Sequence, residues 1–282
     1  MRINPQSRIV LLYVVLSALW IWFSDHALDA LVHDHIELTS LQSFKGWLFV
    51  ASTGALLYWM IGRDLHRLRV ANQTLLDGHT QSLRVLVSAM DIRHRETSDH
   101  SDRVMRMATG LAKLAGVHGE TLHNLTFGAL LHDIGKLALP DSILIKPGKL
   151  DDEEMRVMRG HAQLGYDLLQ RVDFLRGAGD IPHSHHERWD GTGYPQGLRG
   201  EAIPLAARIF SVVDVWDALI SARVYKPAWP EADVLAYLRA AAGGQLDPNM
   251  VALFLKNYDA LKLLGGAPED RNRPGMAAAS VA

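Results

Sequence analysis

No cysteine occurs in the 282 residues of this chain. Disulfides and thiolate metal sites are thereby excluded, and the absence fits a reducing compartment. A net charge of one sign is missing too: 29 Lys and Arg against 31 Asp and Glu leave −2 at pH 7. No general field therefore draws polyanions, and a nucleotide ligand must be caught locally. Alternating apolar-polar runs are scarce, no internal repeat is evident, and charge is lacking altogether from residues 9–23 and 46–62. What the chain has in abundance is histidine, with 14 residues, the commonest metal-binding side chain.

The two uncharged stretches read as a membrane hairpin occupying residues 1–62. At ~1.5 Å per residue each reaches roughly 24–26 Å, slightly short of a ~30 Å hydrocarbon core. Arg8, Lys45 and Arg63 at the ends can snorkel across the difference. Trp20, Trp22 and Trp47 fit one interfacial belt, and Tyr58 and Trp59 the other. Arg2 and Arg8 precede the first stretch, and Arg63, Arg67 and Arg69 follow the second. Between the two stand Asp25, Asp29, Asp34 and Glu37, with Lys45 at the end. That asymmetry puts both termini in the cytoplasm and leaves residues 24–44 as a short outer loop. No small-x-small cleavage site follows Phe23, so a cleaved signal peptide is disfavoured.

Residues 63–88 read as a helical linker. Leu65, Leu68, Leu75, Leu76, Leu83 and Leu86 recur near the spacing of a coiled-coil seam, interrupted by Asn72 and His79. Two copies of the chain are expected to pair there. Beyond it, segments 101–116, 120–138, 151–170, 204–223, 230–243 and 248–262 carry apolar residues at i, i+3 and i+4, punctuated by prolines. The fold class is all-α, a helical bundle over residues 89–262, followed by a Gly/Ala/Pro-rich tail, residues 263–282, expected to be disordered.

Two adjacent pairs organise the bundle: His132-Asp133 and His185-His186, with Glu96, His100, His161 and Asp214 around them. Imidazoles and carboxylates in this density suit two or three first-row divalent metals. Such a site generates hydroxide near neutral pH and clamps a phosphate. Taken singly, each residue has an ordinary reading as a surface or hydrogen-bonded core side chain; joint occurrence reverses the odds. Lys136 stands three residues after Asp133, on the same side of a helix, where it can contact a phosphate oxygen. The run His185-His186-Glu187-Arg188-Trp189-Asp190-Gly191-Thr192-Gly193-Tyr194-Pro195 is more specific. Adjacent histidines at an element end can face two metals, and the Gly and Pro residues make a tight loop.

Through His132-Asp133-Ile134-Gly135-Lys136 and that run, the chain resembles the HD-GYP family of HD-domain metal phosphohydrolases. Further matching stretches are residues 93–104, 143–150, 161–169 and 211–226, so the likeness covers roughly residues 80–262. It implies an HD-domain bundle holding two or three irons or manganeses. His100, His132, Asp133, His161, His185, His186 and Asp214 match ligand positions, with Asp133 bridging, and Asp217 falls behind the ligands. Glu96, four residues before His100, matches the subgroup associated with a third metal.

The likeness further implies hydrolysis of cyclic di-GMP, first to pGpG and in some members to GMP. Asp133 and Lys136 then carry the catalysis, and Lys136, Tyr194, Arg223 and Lys226 contact the substrate. The Gly193-Tyr194-Pro195 loop would also serve contacts with a diguanylate cyclase or an adaptor. Val224 departs from the proline usual in relatives, which bears on loop geometry and not on the metals. These expectations describe an enzyme of the bacterial inner membrane with its catalytic domain in the cytoplasm. The competing readings are a catalytically silent cyclic di-GMP receptor, which complete ligands disfavour, and another HD phosphohydrolase, which the His185-led run disfavours.

Overall fold

In the computed structural model, residues 5–31, 35–94, 100–221 and 227–266 are described. They fall into two compact units, Met1–His79 and Thr80–Ala282. Among the described residues there is no strand, and an isolated bridge joins Ala242 to Leu246.

The first unit holds α1 (Pro5–Leu31) and most of α2 (His35–His94). Both are long and apolar enough to cross a membrane, α1 over Ile9–Ala27. Their outward surface is apolar, with Trp22, Trp47, Tyr58 and Trp59 exposed. Hydroxyls turn back onto their own helix: Ser24 Oγ donates to the Trp20 carbonyl (2.5 Å) and Thr53 Oγ1 to that of Phe49 (2.7 Å). This is how such groups are satisfied where water is scarce. Lys45 pairs with Asp25 across the two helices. The expected outer loop is mostly helix, since α1 runs to Leu31 and α2 starts at His35, and residues 32–34 lie outside the described residues. The second apolar stretch and the linker are likewise one helix. No proline occurs between Pro5 and Pro140 to interrupt it.

In the second unit the end of α2 buries Val87, Met90 and Asp91. There follow α3 (His100–Leu114), α4 (Gly119–Leu130), a 3-10 turn (Ile134–Ala138) and α5 (Asp141–Leu144). Next come α6 (Asp152–Arg159), α7 (His161–Gln170), a second 3-10 turn (Asp173–Ala178) and α8 (Asp180–Ser184). After a third short turn at Gly200–Ala202, α9 (Leu205–Ile220), α10 (Glu231–Ala241), α11 (Pro248–Lys256) and α12 (Tyr258–Leu264) complete the bundle.

Sequence periodicity sets the packing. Val104, Met107, Ala108 and Leu111 recur at i, i+3, i+4 and i+7 and are wholly buried, so α3 packs on α4 and α9. Phe210 and Trp216 of α9 and Phe254 of α11 are the largest fully buried side chains among the described residues. Phe254 stacks obliquely on Trp216 (6.2 Å) and Tyr258 (5.8 Å), remote in sequence from the metal-type residues. Phe254→Ala is expected to lower stability by about 3–5 kcal/mol. A lower urea midpoint at unchanged m checks this; an unmoved midpoint would exclude a close-packed core there.

Several helices are shorter than their periodicity predicts. The segment 120–138 divides because His132 and Asp133 occupy a turn after α4, and Gly135 lies against the backbone of α7. The segment 151–170 divides at Gly160, and α6 starts on a reciprocal capping box between Asp151 and Glu154. The segment 248–262 breaks at Asn257. Residues 263 and 264, read from the sequence as the start of the tail, belong to α12, and residues 267–282 lie outside the described residues.

Candidate metal centre

Five elements converge on one buried pocket of imidazoles and carboxylates. His100 opens α3, His132 and Asp133 stand in the turn after α4, His161 opens α7, His185 and His186 follow α8, and Asp214 projects from the middle of α9. Their donor atoms form two groups, each within 4.8 Å internally: Asp133, His161, His185 and His186, and then His100, His132 and Asp214.

Asp133 stands between the groups. Its Oδ1 lies 3.3 Å from His161 Nε2 and 3.8 Å from His185 Nε2. Its Oδ2 lies 3.2 Å from His132 Nε2 and is paired with Lys136. In the second group His100 Nε2 is 3.8 Å from Asp214 Oδ1. The rings of His100 and His132, and of His132 and His185, are 5.4 and 5.5 Å apart.

The backbone decides which nitrogens face inward. His132 Nδ1 donates to the Ala129 carbonyl (3.1 Å), His161 Nδ1 to that of Met158 (2.8 Å), and His185 Nδ1 to that of Ile181 (3.0 Å). A carbonyl only accepts, so in the neutral ring the proton sits on Nδ1 and Nε2 carries a lone pair toward the centre. His161 Nε2, His185 Nε2 and Asp133 Oδ1 are buried with no hydrogen-bond partner. Buried polar atoms left so are rare and costly, and three aimed at one point are the donor set of a divalent cation. The residues present therefore fit the metals that the sequence implies.

Electrostatics agree. Burial works against the charge of Asp133, but the Lys136 ammonium and His132 outweigh it and hold the carboxyl well below the ordinary carboxylate range. Burial also opposes protonation of His132, yet Asp133 beside it raises its pKa above the ordinary imidazole value; the same negative charge favours a cation. Burial holds His161, His185 and His186 below the usual imidazole value, His186 at about 3. They are neutral at physiological pH, as metal ligation requires.

A stability consequence follows for the metal-stripped chain. Unfolded histidine takes up its proton near pH ~6.5, whereas folded His186 resists protonation down to about 3. Below that upper value the unfolded state binds more protons, so stability falls as pH drops from about 6.5 toward 3. Urea midpoints measured from pH 7 to pH 4 should decline through this window; a flat series would contradict the burial of these rings.

The loop after His186 is held by its own residues and by the turn between α10 and α11. Glu187 is buried and accepts from Gln196 N (2.7 Å) and Leu198 N (3.0 Å). The Trp189 and Asp190 amides donate to the carbonyls of Gln245 and Gly244. A Cβ at Gly193 would collide with Arg188 N and lie 2.5 Å from Glu187 Cα, so no other residue fits this approach. Tyr194, joined to Pro195 by a cis peptide, stacks on His186 at 4.7 Å, with the Arg159 guanidinium 5.1 Å above the phenol ring. Burial and the Asp133 charge raise the Tyr194 pKa to about 12, which keeps the hydroxyl a donor.

All seven matched ligand positions among the described residues are thus brought together, with Lys136 and Tyr194 beside them. Glu96, Arg223 and Lys226 lie outside the described residues. Arg159, Arg103 and the loop anchor Glu187 escaped the sequence reading. Arg159 and Glu187 each stand within two residues of a ligand histidine, the one signal that pointed to them.

A model of the HD domain family matches residues 84–250. A Xanthomonas campestris protein named cyclic di-GMP phosphodiesterase response regulator RpfG is 41% identical over 213 residues, covering 74% of this chain and 56% of that protein. A Vibrio cholerae protein named 3'3'-cGAMP-specific phosphodiesterase 2 is 40% identical, over 62% of this chain and 34% of its own length. The chain therefore spans about half or less of these curated relatives. The crystal structure of a V. cholerae cyclic GMP-AMP phosphodiesterase superposes with a TM-score of 0.52 at 18% identity, over 68% of this chain and 52% of that one. That likeness shows a shared fold.

Proposed function

Because this chain belongs to the HD-domain family, and through residues 185–195 to its HD-GYP branch, we propose that it is a metal-dependent phosphodiesterase acting on cyclic di-GMP. The ring opens to pGpG, with GMP as a further product. Asp133 carries the reading: one buried carboxylate with an oxygen toward each of two donor groups. Two or three divalent ions, iron or manganese, bound by these residues and by Glu96 would supply activated water and neutralise phosphate charge.

The rest falls to the chain itself. Lys136, held beside Asp133 and 11% exposed at its side chain, places an ammonium where a non-bridging phosphate oxygen arrives. Tyr194 presents a protonated hydroxyl at the rim. Arg223 and Lys226 are assigned to the two anionic phosphates. Buried aromatic and aliphatic neighbours of the histidines, Phe210 and Ile134 among them, limit bulk water.

α1 and α2 anchor the chain in the bacterial inner membrane with both termini and the HD domain in the cytoplasm. The exposed leucines of α2, including Leu65, Leu68, Leu75 and Leu86, pair two copies through the linker. The Gly193-Tyr194-Pro195 loop offers a contact for a diguanylate cyclase or adaptor.

The test is turnover by full-length chain in detergent, loaded anaerobically with Fe(II) or Mn(II). Conversion of cyclic di-GMP that vanishes in Asp133→Ala is expected. Binding without conversion would establish a silent receptor instead, and preference for 3'3'-cGAMP would reassign the substrate.

A further inference from the structure

Among the ligand histidines with a resolved Nδ1 contact, His100 is held differently. His132, His161 and His185 each donate from Nδ1 to a neutral backbone carbonyl. His100 Nδ1 instead lies 2.7 Å from Asp217 Oδ2, a carboxylate 1% exposed in its side chain. Arg103, one turn along α3 and also buried, grips the same carboxylate with two bonds, Nε to Oδ1 (2.5 Å) and an NH2 to Oδ2 (2.9 Å). It also reaches Ser221 Oγ (3.3 Å) at the end of α9.

The Arg103 guanidinium, which keeps its charge, donates to both oxygens of Asp217, as a fork does to an ionised carboxylate. An ionised carboxylate only accepts, so His100 Nδ1 donates and Nε2 carries the lone pair toward Asp214. A carboxylate behind an imidazole both fixes the ring and makes it a stronger donor than a carbonyl does. Arg103 shares α3 with His100, and Asp217 shares α9 with Asp214. The clamp therefore sets the spacing of the two helices that supply two of the three groups at one cation position.

We infer that Asp217, clamped by Arg103, is a positioning residue for one cation position only, that of His100, His132 and Asp214, and that it strengthens this position independently of the one formed by Asp133, His161, His185 and His186. The inference rests on the metal reading above. It makes the two positions unequal by construction: one has a charged outer support, the other has carbonyls.

Metal binding itself is the readout. Metal-stripped full-length chain in detergent is titrated with Mn(II), and free ion is counted by electron paramagnetic resonance. The wild type should show at least two binding steps. Asp217→Asn keeps the shape but turns an amide toward Arg103. One step should weaken by about 10–100-fold while the other stays within twofold, and the weakened step should be the one that His100→Ala removes and His185→Ala does not. Arg103→Lys, which keeps the charge and loses the fork, should weaken the same step by a smaller factor and serves if Asp217→Asn does not fold. Equal weakening of both steps, or no change in either, overturns the inference while leaving the metal reading in place. A wild type that takes up no Mn(II) overturns the metal reading, and the inference with it.

Discussion

Replacing Asp133 by asparagine is expected to reduce phosphodiesterase turnover by at least ~10³-fold, a loss of about 4 kcal/mol in transition-state stabilisation, and to deplete both cation positions together. The side chain keeps its shape, so the effect isolates charge. The two oxygens of Asp133 lie within 4 Å of imidazoles of both groups, His132 on one side and His161 and His185 on the other. Removing its charge therefore weakens two positions with a single change. Asp214→Asn makes the contrast. Asp214 belongs to one group only, so the other position should survive and one equivalent of metal should remain. Metal analysis beside a turnover assay separates the two variants. Full metal content in Asp133→Asn would refute the bridging placement, and retained turnover would refute the proposed role.

Gly135→Ala is the second large effect, and it replaces no ligand. A Cβ at Gly135 would collide with the His161 carbonyl oxygen and lie 2.5 Å from Gly165 N. Both obstacles are backbone of α7, so no side chain can rotate away. The turn bearing Asp133 must separate from the helix bearing His161. Overpacking of this kind costs about 3 kcal/mol. A displacement near 1 Å between groups that must act together costs on the order of 10²-fold in rate. The variant should show a lower urea midpoint, weaker metal binding and reduced turnover. Wild-type behaviour in all three would mean that the close contact of this turn with α7 is absent in solution.

Much of this was legible in the linear chain, and the reason differs by feature. Uncharged stretches announce two long apolar helices because desolvation of charge is a local, composition-level cost. Helical segments showed in the i, i+3, i+4 recurrence of α3 and α9 because burial of one face leaves a period in the sequence. Helix ends were less legible. The breaks at Gly135 and Gly160 depend on what packs against them, and the continuity of α2 depends on the lack of any breaker between two regions of different composition.

Residue type and order thus determined that this chain has imidazoles and carboxylates in the pattern of the HD-GYP branch, two long apolar stretches before them and no thiol chemistry. Tertiary structure alone decided which nitrogen of each ring faces inward, that Asp133 stands between two donor groups, and that Asp217 and Arg103 brace His100 from behind. The physical reason is range. Hydrophobic period and charge content are properties of neighbours along the chain. An orphaned lone pair, or a carboxylate gripped across 114 positions, exists only once distant segments meet in a medium too dry to satisfy them otherwise.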